Sequence, residues 1–83
     1  MKKLELYYFD ECPYCQMVLG TIDQLKLGEK IVMKNTRQDP KNREKLVQDT
    51  GRGTVPCLYI DGVPMHESRD IANWLRANAS QLS

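Results

Sequence analysis

Eighty-three residues make room for one domain with a thin core, and a content of 41% hydrophobic and 28% charged residues excludes a disordered tail or a fibrous repeat. Twelve Lys and Arg against eleven Asp and Glu leave a formal charge of +1, so no one-sided positive field exists to hold nucleic acid or an anionic membrane. The basic cluster at Lys41, Arg43 and Lys45 is interleaved with Asp39, Glu44 and Asp49, the pattern of a solvated helix face. At the start, Glu5 interrupts the apolar run after Met1-Lys2-Lys3, and Asp10-Glu11 ends it. No signal-peptide core or membrane span is legible, which sets a cytoplasmic expectation. Thiols stay reduced there, so three cysteines read as catalytic thiols, metal ligands or small core residues rather than structural disulfides.

Lys3 to Phe9 alternates apolar and polar residues and predicts a first strand. After the Asp10-Glu11 loop, Cys12-Pro13 opens a helix, with Pro at its first position and Val18, Ile22 and Leu25 at helical spacing. Gly28 is expected to close it. Ile31 to Lys34 predicts a second strand. Asp39-Pro40 repeats the start signal for a polar helix with a thin apolar face, Leu46 and Val47, ending at Gly51. Cys57 to Ile60 predicts a third strand, Asp61-Gly62 a two-residue hairpin turn, and Val63 to His66 a fourth strand. Pro64 cannot donate to a ladder, so this strand belongs at a sheet edge. Ser68 is read as the cap of a last helix whose Ile71, Trp74 and Leu75 form a core-facing stripe. The order is β-α-β-α-β-β-α, with the first two strands parallel and the last two antiparallel.

The chemistry centres on Cys12 and Cys15. A thiol reacts as its thiolate, and a thiolate at a helix N-terminus meets unpaired N–H groups and the positive end of the macrodipole. Cys12 at the helix mouth is read as the exposed nucleophile, and Cys15, one turn on and more buried, as the resolving thiol. Two other readings stay open: an inert buried pair, and a zinc site recruiting Cys57 and His66. Thr54-Val55-Pro56 suggests a cis peptide bond that presents the Val55 backbone to a peptide-like substrate. Glu67-Ser68 pairs a carboxylate, suited to an ammonium, with a helix N-terminus suited to an anion, which is the complement of a zwitterionic amino-acid head group. Cys57 is read as a small inward-facing residue.

The tetrad Cys12-Pro13-Tyr14-Cys15 and the motif Thr54-Val55-Pro56 resemble those of dithiol glutaredoxins. Met65-His66-Glu67-Ser68-Arg69-Asp70-Ile71 departs from the usual glutaredoxin stretch and is similar to the Glu-Ser-x-x-Ile signature of glutathione transferase N-terminal domains. The combination is similar to the N-terminal domain of transferase-like bacterial glutaredoxins. The resemblance implies an α/β thioredoxin fold over residues 1–83, with a four-stranded mixed sheet flanked by three helices. It implies glutathione-dependent reduction of disulfides and protein–glutathione mixed disulfides by Cys12 and Cys15. Tyr14, Thr54, Val55, Pro56, Glu67 and Ser68 would then bind glutathione, which is substrate and electron donor, with no bound cofactor and no metal. Implied partners are glutathionylated or disulfide-bonded proteins and, through glutathione, glutathione reductase; a monomer is expected. Because transferases carry a helical second domain, transferase activity is not expected. The alternatives are a redoxin fed by thioredoxin reductase and a glutathione- or iron–sulfur-binding module without turnover; Pro13 argues against the cluster. Arg37 and Lys41 are candidates for contacting the glycine carboxylate of glutathione.

Overall fold

A computed structural model describes residues 2–82. The elements are β1 (Leu4–Tyr8), α1 (Pro13–Gln24), a 3-10 turn (Gly28–Lys30), β2 (Ile31–Asn35), α2 (Pro40–Thr50), β3 (Cys57–Ile60), β4 (Val63–Met65) and α3 (Ser68–Leu82). The sheet order is β2-β1-β3-β4. β1 runs parallel to β2 and antiparallel to β3, and β3 pairs antiparallel with the edge strand β4. This is the expected thioredoxin-like topology. Among the described residues no helix is long and apolar enough to cross a membrane.

Strand alternation divides the core between the two sheet faces. Leu4, Leu6 and Leu58 meet Val18 and Ile22 of α1 and Ile71 and Leu75 of α3 in the main cluster. Trp74 packs against its edge, as a core residue rather than a platform. The intervening residues Tyr7, Cys57 and Tyr59 point the other way and meet Leu46, the one buried residue of α2. That second layer is thin, and polar contacts reinforce it. The Tyr59 hydroxyl donates to Asp49 Oδ2 at 2.9 Å, Lys45 Nζ lies 2.9 Å from the same oxygen, and the Tyr7 and Tyr59 rings meet at a tilt of 44° with centroids 4.8 Å apart.

The local signals mostly act where they stand. Asp39 caps α2 by accepting from the Lys41 N–H at 3.0 Å, and Gly51 ends it at φ 80°. Asp61 and Gly62 both take positive φ, as a type I′ turn requires. Two boundaries differ from the sequence reading. Gly28 does not close α1: the left-handed position falls on Lys26, at φ 57°. The reason is Leu27, whose N–H bonds back to the Ile22 carbonyl while both side chains enter the core. With Lys26 N–H on the Asp23 carbonyl, this is a Schellman closure whose apolar contact fixes the turn two residues early. At the other boundary β4 stops at Met65, because the chain turns through Glu67 at φ 73°.

Candidate active site

Cys12 is the N-cap of α1, in extended conformation, and its Sγ accepts the N–H of Cys15 at 3.4 Å. Pro13 follows at the first helical position, where a missing N–H costs nothing. A charge on this sulfur is therefore met by a helix N-terminus and a directed N–H. The expectation that Cys12 stands exposed is corrected: it is 8% accessible, because its sulfur folds back over the first turn toward that N–H. Cys15 is fully buried, as expected. Both are free thiols. Burial pushes the Cys15 thiol well above its ordinary range, with a Phe9 backbone contact opposing. Cys15 is thus a proton-bearing thiol waiting beside a partly reachable sulfur.

A groove of about 330 Å³ is lined by Tyr14, Thr54, Val55, Pro56, Glu67 and Ser68. These are the six residues that the resemblance assigns to glutathione binding, drawn from α1, the loop before β3 and the start of α3. Tyr14, flanked in sequence by the two cysteines, stands 67% exposed and links them to the groove. The Val55–Pro56 bond is cis. At the far end the expected cap moves by one residue. The Glu67 carbonyl accepts the first helical bond from Ile71 N–H at 3.0 Å, so Glu67 holds the cap position and Ser68 is the first helical residue. Glu67 is exposed, and the free N–H groups of the first turn open beside it.

The acidic pair before Cys12 is engaged elsewhere. Asn35 Nδ2 donates to Asp10 Oδ2 at 3.5 Å, and Glu11 lies 3.6 Å from the Arg37 guanidinium, which itself covers the Phe9 ring at 3.9 Å. Arg37 is therefore part of the brace on the active-site loop; Lys41 lies exposed. Cys57 and His66 do approach, Sγ to Nε2 at 4.0 Å. Yet among the described residues no three His, Cys, Asp or Glu side chains gather as metal ligands. The two residues come together in the sequence only as ligands of the alternative zinc site, although the hairpin register also predicts a direct contact. A two-residue turn at Asp61-Gly62 pairs Ile60 with Val63 and Leu58 with Met65, which carries Cys57 to His66 at the next position.

The family model for the glutathione S-transferase N-terminal domain matches residues 6–82. The chain belongs to the glutathione S-transferase N-terminal domain family. A glutaredoxin of Ricinus communis is 38% identical over 52 residues, covering 61% of this chain and 51% of that protein. The "Probable Thioredoxin" of Methanothermobacter marburgensis is 35% identical over 63 residues, covering 74% of this chain and 72% of that one. Among solved structures, a Drosophila mojavensis glutathione transferase homolog with bound glutathione superposes with a TM-score of 0.79 at 24% identity, a likeness of fold. It covers 98% of this chain and 37% of that one. The present transferase-type domain thus spans about half the length of the plant glutaredoxin and little over a third of the insect transferase.

Proposed function

We propose that the protein is a glutathione-dependent thiol–disulfide oxidoreductase that reduces protein–glutathione mixed disulfides and disulfides. The observation that carries this reading is the single groove joining the Tyr14 end of the Cys-x-x-Cys helix to Glu67 and Ser68 at the start of α3. A carboxylate beside free helix N–H groups suits the ammonium and carboxylate of a γ-glutamyl group. Family membership and the plant glutaredoxin support the same ligand and chemistry.

In the first step the Cys12 thiolate attacks the glutathione sulfur of a mixed disulfide. The old S–S bond breaks, its electron pair leaves on the protein sulfur, which takes a proton, and Cys12 becomes bonded to glutathione. A second glutathione thiolate then attacks that glutathione sulfur, forming glutathione disulfide and returning Cys12 as thiolate. For a protein disulfide, Cys12 attacks one sulfur and the other leaves as a thiol. Cys15 then loses its proton and attacks the Cys12 sulfur, closing the Cys12–Cys15 disulfide and freeing the second substrate thiol. Two glutathiones reduce that disulfide and leave as glutathione disulfide. The buried, protonated state of Cys15 keeps it from competing for the first attack. The setting that suits this reading is the cytoplasm, with the protein as a monomer, no bound cofactor, and an NADPH-dependent reductase renewing glutathione.

A second reading, a redoxin reduced by thioredoxin reductase, draws on the archaeal relative but gives the Glu67-Ser68 end of the groove no task. The two cysteine variants test the proposed division of labour. Cys12→Ser is expected to abolish all turnover, and Cys15→Ser to keep deglutathionylation while losing reduction of protein disulfides. Activity in Cys12→Ser, or a Cys15→Ser dead in both assays, would refute it.

A further inference from the structure

The two walls of the groove are joined from behind by a contact that the chemistry above does not use. Cys57 directly follows Pro56, and His66 directly precedes Glu67, so their 4.0 Å approach ties one wall to the other. The ring's second nitrogen, Nδ1, is buried and has no hydrogen-bond partner among the described residues. The less costly tautomer places the single proton on Nε2, aimed at the sulfur, and leaves only a lone pair unpaired at Nδ1.

A second proton is poorly accommodated there. It would create a buried N–H without an acceptor on a ring that has become a cation. The groups facing the ring decide where that cation goes. Cys57, from β3, is pushed up to about 11 by burial and is a neutral thiol that cannot pair with it. Arg52, from the loop before β3, is a like charge. Glu67, on the ring's own segment, is the opposite charge. Burial and then Arg52 hold the histidine below its ordinary pKa against the pull of Glu67.

We propose that the Cys57–His66 contact positions the Glu67 end of the groove, and that protonation of His66 breaks the contact and turns the imidazolium toward Glu67, where it competes with the substrate's ammonium. The inference rests on the glutathione reading of the groove. Glutathione binding is then intact at neutral pH and lost on acidification.

The test uses S-methylglutathione, which cannot react with Cys12 and does not change charge between its carboxylates and its amine. Its affinity is measured by calorimetry across the titration of His66, followed by NMR as the single histidine in the chain. Affinity should fall through the His66 transition, approaching about tenfold per pH unit below it, as exclusion of one proton requires. By reciprocity, saturating ligand should move the His66 transition to lower pH. His66→Gln should bind with no such pH dependence. Cys57→Ala, which spares the ring, should weaken binding at neutral pH while leaving Cys12 equally reactive toward iodoacetamide. Affinity that is flat across the transition, a slope that survives in His66→Gln, or unchanged binding in Cys57→Ala overturns the proposal. No binding at any pH would remove the glutathione reading itself, and this inference with it.

Discussion

Glu67 holds a left-handed backbone, φ 73°, and lines the end of the groove. Fold stability and ligand binding therefore pull this residue in different directions, and two substitutions separate them. An alanine here keeps the left-handed penalty of about 1–2 kcal/mol. A glycine escapes it but brings back about 0.5–1 kcal/mol of chain entropy in the unfolded state. Glu67→Gly should therefore be more stable than Glu67→Ala by about 0.75 kcal/mol at the middle of these ranges, or about 3–6 °C in melting temperature for a domain of this size. On the proposed glutathione reading, both lose the same charged hydrogen bond to the γ-glutamyl ammonium. That bond is worth about 1.5–3 kcal/mol, or roughly 10- to 150-fold in KM for glutathione, with the low end favoured because Glu67 is exposed. Thermal melts and glutathione titrations of the two variants read these effects separately. Equal melting of the pair would contradict the left-handed backbone, and an unchanged KM in both would remove Glu67 from the site.

Leu46→Ala should be costly, about 2–5 kcal/mol, because Leu46 is the only side chain that α2 buries against the sheet; denaturant unfolding checks this, and a loss near zero would mean that α2 is held by its polar contacts. Those contacts predict a pH dependence. Lys45 and then the Tyr59 hydroxyl hold the Asp49 carboxyl below its ordinary range, so the native state binds this proton less readily than the unfolded chain. The resulting stability is present above the unfolded value of about 3.9 and is lost as the pH falls through the lower folded value. Tyr59→Phe removes one of the two partners, so melts between about pH 7 and about pH 3 should show a smaller acid loss than in the wild type; an identical loss would assign the effect to Lys45 alone.

Much of the fold was legible because its signals are local. Asp39-Pro40 and Gly51 bound α2, Asp61-Gly62 sets the hairpin, and Cys12-Pro13 opens α1, each through the backbone geometry of the residue itself. What was not legible depends on distant packing. Gly28 is the better left-handed residue, yet Lys26 takes that role because Leu27 reaches the core across α1. Cys12 reads as exposed from its place at a helix mouth, but its rotamer follows the N–H of Cys15 and covers the sulfur. Five of the six groove residues carry their own chemical signal, a cis-prone proline motif or a carboxylate beside a helix start, whereas Tyr14 was legible only through the resemblance of the tetrad around it. The Cys57–His66 contact carries no motif and emerges only when the hairpin register is counted.

On the proposed reading, glutathione supplies the electrons through this groove. The most direct test of that reading is a coupled assay in which wild-type protein meets a small glutathione mixed disulfide with glutathione, glutathione reductase and NADPH. Steady NADPH consumption that scales with protein and saturates with glutathione is expected. No turnover in that mixture, with turnover in one that contains thioredoxin reductase instead, would contradict it.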